Sequence, residues 1–151
     1  MSNLEDFKSI SNLRLKTAKI LIDGKDWDGA AYMLGYCLEC ALKAVICKTL
    51  HLVAYPENTR NDKVDSYFMT HKFDQLLTPS GMEDLFSARG QKDVFIGWSE
   101  FTQEYPGDWP AMRYDRQRLK QFDELKVKKL YNNLVKKKCG VITVINKEKR
   151  W

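Results

Sequence analysis

The chain has no glycine-rich phosphate loop, no GxSxG elbow, no HExxH and no pair of histidines at metal-ligand spacing. The chemistry that those motifs carry therefore lacks its machinery here, and neither a cofactor nor a metal is expected. Histidine is scarce, with only His51 and His71. No apolar run continues for the roughly 20 residues that a membrane span requires, so no membrane association is expected. The opening MSNLEDFKSI carries acids where a secretory leader needs a basic and then an apolar stretch, which points to a cytoplasmic protein. In that setting the four cysteines are expected as reduced thiols. Internal repeats and low-complexity segments are also absent. With 151 residues, 44% of them hydrophobic and 30% charged, the chain fits one globular domain.

What is present is a segment of unusual uniformity. Residues 29–50, GAAYMLGYCLECALKAVICKTL, are apolar or small nearly all round a helix, yet include Glu39 and Lys43. Such a helix is walled in by neighbours, so a charge on it needs a partner or a purpose. Residues 3–22 form a first helix, with Leu4, Phe7, Ile10, Ala18, Leu21 and Ile22 within about 120° of one another and Arg14 inside the same arc. Asp23-Gly24-Lys25-Asp26 makes a turn, and Asp26 is placed to cap a second helix over 27–50. Two long helices joined so briefly pack antiparallel.

Residues 54–67 lack periodicity and read as a loop. A short third helix is expected over 70–78, capped by Thr70, with Phe73, Leu76 and Leu77 inward. Ser80 and Glu83 have capping-box spacing and Gly90 suits a stop, which predicts a fourth helix over 81–89. Residues 91–115, rich in aromatics and broken by Pro106-Gly107 and Pro110, are expected to give one or two helical turns and then an irregular loop. A last helix runs from 117 or 123 to 138 with Gly140 ending it, and Val141–Ile145 is expected as a short edge strand or a packed tail. The fold class is all-α, an antiparallel bundle of four to five helices with a short irregular C-terminal tail.

Cys37 and Cys40 have CxxC spacing, with Cys47 and His51 on the same helix face. Cys37 and His51 are about 21 Å apart at 1.5 Å per residue, too far for one ion. Met33, Cys37, Cys40, Ala44 and Cys47 read instead as a stripe for close helix approach, at the hairpin seam or a subunit interface. Tyr32, Tyr36, Glu39, Lys43 and Leu50 project from another side, within about 60°. If Glu39 is buried it needs more than one donor, and Arg14, Arg113 and protonated His71 are available besides Lys43. His71, in THKF, serves either as a base or as a hydrogen-bonding fastener. Arg113 and Tyr114, in WPAMRYD, suit a ligand contact or a tether from that loop to Glu39. Glu39, Lys43, His71, Arg113 and Tyr114 are thus the candidates for any catalytic site. From Lys126 onward the chain holds nine Lys or Arg and one acid, a balance of +8 against −3 for residues 1–125. Lys136, Lys137, Lys138, Lys147, Lys149 and Arg150 are the expected contacts to RNA or an acidic partner, although lysines near a helix end also suit its dipole.

YMLGYCLECALKAVI, then THKFDQLL after a variable loop, then an aromatic stretch ending WPAMRYD before a last helix, resembles the HEPN family of bacterial and archaeal helical domains. The resemblance spans residues 3–138, the core of a single domain over 1–151 with 139–151 as its Lys-rich tail. It implies an antiparallel helical bundle, a homodimer with a cleft, and a role in toxin–antitoxin, antiviral defence or stress systems. Many HEPN proteins are metal-independent ribonucleases that use an Arg followed after four to six residues by a His. That motif is missing: Arg60 lies eleven residues before His71, and no His follows Arg113. Family members without the motif act as nucleotidyltransferase partners, RNA-binding modules or dimerisation units. The resemblance therefore implies a noncatalytic RNA-binding or partner-binding module, with an atypical ribonuclease acting in the dimer cleft as the alternative.

Overall fold

The computed structural model describes residues 2–151. Among them there is no strand, and the all-α class holds. Helix α1 (Leu4–Asp23) starts at a capping box in which the Asn3 and Asp6 side chains each accept from the other's backbone N–H. Helix α2 (Trp27–Thr49) starts at Asp26, whose carboxylate accepts from Gly29 N–H, and packs along α1 as the expected hairpin. α2 is the axis of the molecule, touching α1 and four of the elements that follow. Its length and composition would suffice to cross a membrane, but 78% of its most apolar window is buried inside the protein.

The remaining chain wraps this hairpin in more pieces than the sequence suggested. Residues 54–67 are not wholly a loop, because Asn61 accepts from the N–H groups of Lys63 and Val64 and starts α3 (Asp62–Phe68). α3 buries no side chain, and so it carries no apolar period. Helix α4 (Phe73–Ser80) begins later than expected. Thr70 does not cap it; its hydroxyl accepts from Lys72 N–H in the preceding turn. No helix follows over 81–89. Ser80 is the last residue of α4, which Gly81, at φ 74, ends; its hydroxyl donates to the Leu77 carbonyl and accepts from Met82 N–H, but the chain beyond runs on as turns. Helix α5 (Lys92–Thr102) runs about three turns instead of one or two, burying Val94, Trp98 and Phe101. A 3-10 turn (Trp109–Tyr114), α6 (Arg116–Leu119) and α7 (Glu124–Val135) come next, the last two capped by Asp115 and Asp123.

The expected irregular tail is a helix, α8 (Val141–Lys149). Val141, Ile142, Val144 and Ile145 are buried by it against α2, α5 and α7, so the core extends past residue 138. The β-branched run suggested a strand, but its burial positions also fit a helical face, and packing decides. Gly140 opens α8 and does not close α7. A Cβ there would lie 2.5 Å from Lys136 N and 2.6 Å from the Leu134 carbonyl oxygen, so only glycine fits.

Cys37 lies at the α1–α2 seam as the small-residue stripe implied, and Ser11 of α1 donates to its carbonyl at 2.9 Å. Burial pushes the Cys37 thiol up to about 11 and that of Cys40 up to about 12, from 9.0. Between 9 and those values the folded chain holds protons that the unfolded chain has released. This contribution to stability is therefore complete below pH 9 and is lost as pH rises through 11 to 12. Urea midpoints measured from pH 8 to 11 are expected to fall once pH passes 9, and replacing both cysteines by alanine flattens that fall. A second stability test concerns Gly35, where a Cβ would meet Tyr105 at 2.7 Å and Trp109 at 3.0 Å. Gly35→Ala is expected to cost about 2 kcal/mol by overpacking, read as a lower urea midpoint at unchanged m-value.

Candidate functional site

Glu39 projects from the middle of α2 and is only 4% exposed. One of its oxygens receives both of its partners. Lys43, one turn on, places Nζ at 3.1 Å from Oε1, and His71 places Nδ1 at 2.7 Å from the same atom. A carboxylate removed from water needs such donors, and Lys43 alone leaves it short. The second donor is the imidazole, not an arginine. Because the acceptor is a carboxylate, Nδ1 carries the hydrogen and Nε2 is left with no partner among the described residues. The His71 side chain as a whole is 56% exposed.

His71 does not sit at the start of α4 but two residues before it. Its position is fixed from both sides: the side chain by Glu39, and the main-chain carbonyl by the Trp109 indole N–H at 3.0 Å. Trp109 is fully buried and packs on Tyr32, Phe73 and Tyr105. Tyr105 donates from its hydroxyl to the Ala31 carbonyl at 2.7 Å, and burial holds that phenol well above its ordinary range. Lys43 is covered on its other side by aromatic rings, 5.5 Å from the centre of Tyr55 and 6.0 Å from that of Phe7. Tyr55 is itself anchored, donating to the Phe68 carbonyl at 2.7 Å.

The expected tether from Arg113 to Glu39 is not formed, nor does Arg14 reach Glu39. Arg113 donates to the Tyr32 hydroxyl at 3.2 Å and lies over the rings of Tyr32 and Tyr114, while Arg14 lies over Tyr36 at 5.2 Å. The carboxylate already has two donors at its one engaged oxygen, and the arginines find rings instead. Of the five candidates, Glu39, Lys43 and His71 form one cluster. Arg113 and Tyr114 form a second, joined to the first only through Tyr32 and Trp109. Tyr114 is 79% exposed. What the sequence did not reveal is the role of Trp109 as the post behind His71, since a tryptophan in an aromatic-rich stretch carries no mark of its hydrogen-bond partner.

The basic C-terminal residues divide by position. Lys136, Lys137 and Lys138 are exposed in the turn between α7 and α8, and Lys147 and Arg150 are exposed at the far end of α8. Six residues of α8, about 9 Å of helix rise, precede Lys147, with Cys139 and Gly140 ahead of them. Lys149 is engaged in the structure: its ammonium donates to the Thr49 hydroxyl at 3.2 Å, and its carbonyl accepts from the Lys48 ammonium. Among the described residues no three His, Cys, Asp or Glu side chains gather as a metal site would require. No family model, no curated protein and no solved structure matches this chain.

The cluster yields a direct test of the buried charge. Lys43→Met, which leaves Glu39 buried with the imidazole as its one donor, is expected to cost about 3 kcal/mol at pH 8. Glu39→Gln combined with Lys43→Met is expected to cost less than Lys43→Met alone, because the uncompensated charge has been removed. Urea unfolding of the parent, Glu39→Gln, Lys43→Met and the double variant completes the double-mutant cycle.

Proposed function

We propose that this chain is a HEPN-like cytoplasmic module that binds RNA and dimerises without cleaving it, within a bacterial toxin–antitoxin, defence or stress system. A nucleotidyltransferase-type or other protein partner fits the same reading. The observation that carries it is that no unpaired cation stands beside the imidazole: Lys43 is paired with Glu39, and Arg113 lies in a separate cluster. Transfer through a ribose 2′-hydroxyl requires a base at that hydroxyl and a cation at the phosphorus oxygens. In one protomer the His71 imidazole is committed to Glu39, and the Arg113 guanidinium to Tyr32 and Tyr114, with Tyr32 and Trp109 between the clusters. The exposed Lys136–Lys138 group and the Lys147 and Arg150 group give the surface that would meet phosphates.

One observation favours the alternative, an atypical metal-independent ribonuclease working in a dimer cleft. An imidazole held by a buried carboxylate through Nδ1, with Nε2 free, is the arrangement a general base uses. Labelled RNA incubated with the purified protein in EDTA separates the two readings. Binding without cleavage is expected, with Lys136→Ala/Lys137→Ala/Lys138→Ala lowering the slope of log affinity against log salt by about 2. Cleavage that disappears in both His71→Ala and Arg113→Ala would establish the ribonuclease instead.

A further inference from the structure

We infer that the groove between α4 and α5 is a binding site for a free α-amino acid with an aromatic side chain. The groove runs from the first turn of α4 across α5 to the chain that leads from Gln103 to Gly107, and its volume is about 680 Å³. That falls within the roughly 300 to 1,000 Å³ usual for small-molecule sites. None of the C-terminal lysines lines it, and the inference does not depend on RNA binding by them.

Three hydrogen-bond donors border this groove without an acceptor. Trp98 is only 5% exposed and borders the groove, yet its indole N–H meets no acceptor among the described residues, unlike those of Trp109 and Trp151. A donor on a ring so buried is met from the groove or not at all. Gln75 is held by its carbonyl oxygen, which accepts from the Thr70 hydroxyl at 2.9 Å, and this leaves its amide nitrogen unbonded. Lys72 forms no ion pair among the described residues. Its stem lies against Gly107, where a Cβ would come within 2.7 Å of the lysine Cε and 2.9 Å of its Cγ, so glycine at 107 lets the lysine lie along the rim. Indole, amide and ammonium make a donor set for a carboxylate, whose two oxygens accept about four hydrogen bonds.

One carboxylate on the groove is equally unused. Asp74, two residues after Lys72, lines the same walls, and among the described residues it pairs neither with that lysine nor with any other cation. A ligand that carried only negative charge would leave Asp74 uncompensated beside it, and a phosphate more so than a carboxylate. A ligand that answers both sides carries an ammonium for Asp74 and a carboxylate for the donors, the pair found on every α-amino acid. The remaining wall is aromatic. Phe86 and Trp98 stack with ring centres 4.8 Å apart, and Phe95, half-buried on α5, lines the groove with them. Rings so placed favour a further ring packed offset or edge to face.

Isothermal titration of the full chain with L-phenylalanine tests the site. L-Phenylalaninamide, which lacks the carboxylate, and N-acetyl-L-phenylalanine, which lacks the ammonium, serve as half-ligands and stand for the first and last residues of a peptide. Saturable binding of L-phenylalanine is expected, weakened about tenfold or more in Lys72→Met and in Asp74→Asn and unchanged in Lys136→Ala/Lys137→Ala/Lys138→Ala. Methionine keeps most of the stem that lies on Gly107, and both positions are exposed, so each variant keeps its fold, which thermal melting verifies. Each half-ligand is expected to bind about tenfold more weakly than the amino acid itself. The inference is overturned if L-phenylalanine does not bind at millimolar concentration, if either half-ligand binds as tightly, or if either charge variant binds undiminished.

Discussion

The carboxylate of Glu39, set in the middle of a helix buried on nearly every side, is the constraint from which much of the molecule's arrangement follows. A charge in that position must be met by donors, and α2 itself supplies only Lys43. The second donor has to come from the chain that crosses over α2, and it is His71. Once that imidazole is fixed, so is the entry into α4. The carbonyl of the same residue then receives the Trp109 indole and holds the 3-10 turn in place. Trp109 in turn forms one wall of the aromatic core with Phe73 and Tyr105, whose hydroxyl returns to α2 at Ala31. The contacts thus close a circuit that begins and ends on α2. Gly35 lies inside that circuit, at the point where the rings come against the helix.

A second regularity concerns the surplus of positive charge. The chain has 25 Lys and Arg against 20 Asp and Glu, and several of the acids are occupied as helix caps. Cations that lack a carboxylate therefore have two outcomes. Some settle on aromatic rings: Arg14 on Tyr36, Arg113 on Tyr32 and Tyr114, and Lys48 on Trp151. Such contacts are worth about 0.5 to 1 kcal/mol at exposed positions, enough to orient a side chain without removing its charge. Others stay open, among them Lys136–Lys138 and, across α8, Lys147 and Arg150. A polyanion would meet this protein at the second kind of cation, because binding there breaks no existing contact.

The helical hairpin could be read from the sequence because its signals were local and mutually consistent: a full apolar wheel, a four-residue turn and Asp26 as cap. The burial of Glu39 was left open, because its neighbours are apolar but Lys43 one turn on fits an exposed ion pair as well. Its partner was not legible at all. Arg113, Arg14 and His71 were equally available by composition, and the choice among them depends on which segment crosses α2 at that height, a property of the tertiary path. The failures elsewhere share this origin. Ser80 and Glu83 have the spacing of a capping box, and the Ser80 hydroxyl does accept from Met82 N–H, but the chain that follows forms turns and no helix. Asn61 carries a cap signal as good as that of Asp26, yet the helix it starts buries nothing and so leaves no period to detect.

The C-terminal segment shows how a compositional reading can be right about charge and wrong about its physical state. The Lys-rich end reads as a tail because lysines dominate it, but Val141, Ile142, Val144 and Ile145 bury a helical face against α2, α5 and α7. The far end is then fastened by Lys149 to Thr49, by Lys48 to the Lys149 carbonyl, and by Trp151 to Asn146. The difference bears on recognition. A disordered basic tail must give up conformational freedom when it closes on a phosphate backbone, and the loss is charged against affinity. Here that ordering has already been met by apolar burial during folding. Lys136–Lys138 precede α8, and Lys147 and Arg150 lie in and just beyond its last turn, so the helix fixes where one group stands relative to the other. A partner that reached both would have to match that fixed placement as well as the charge.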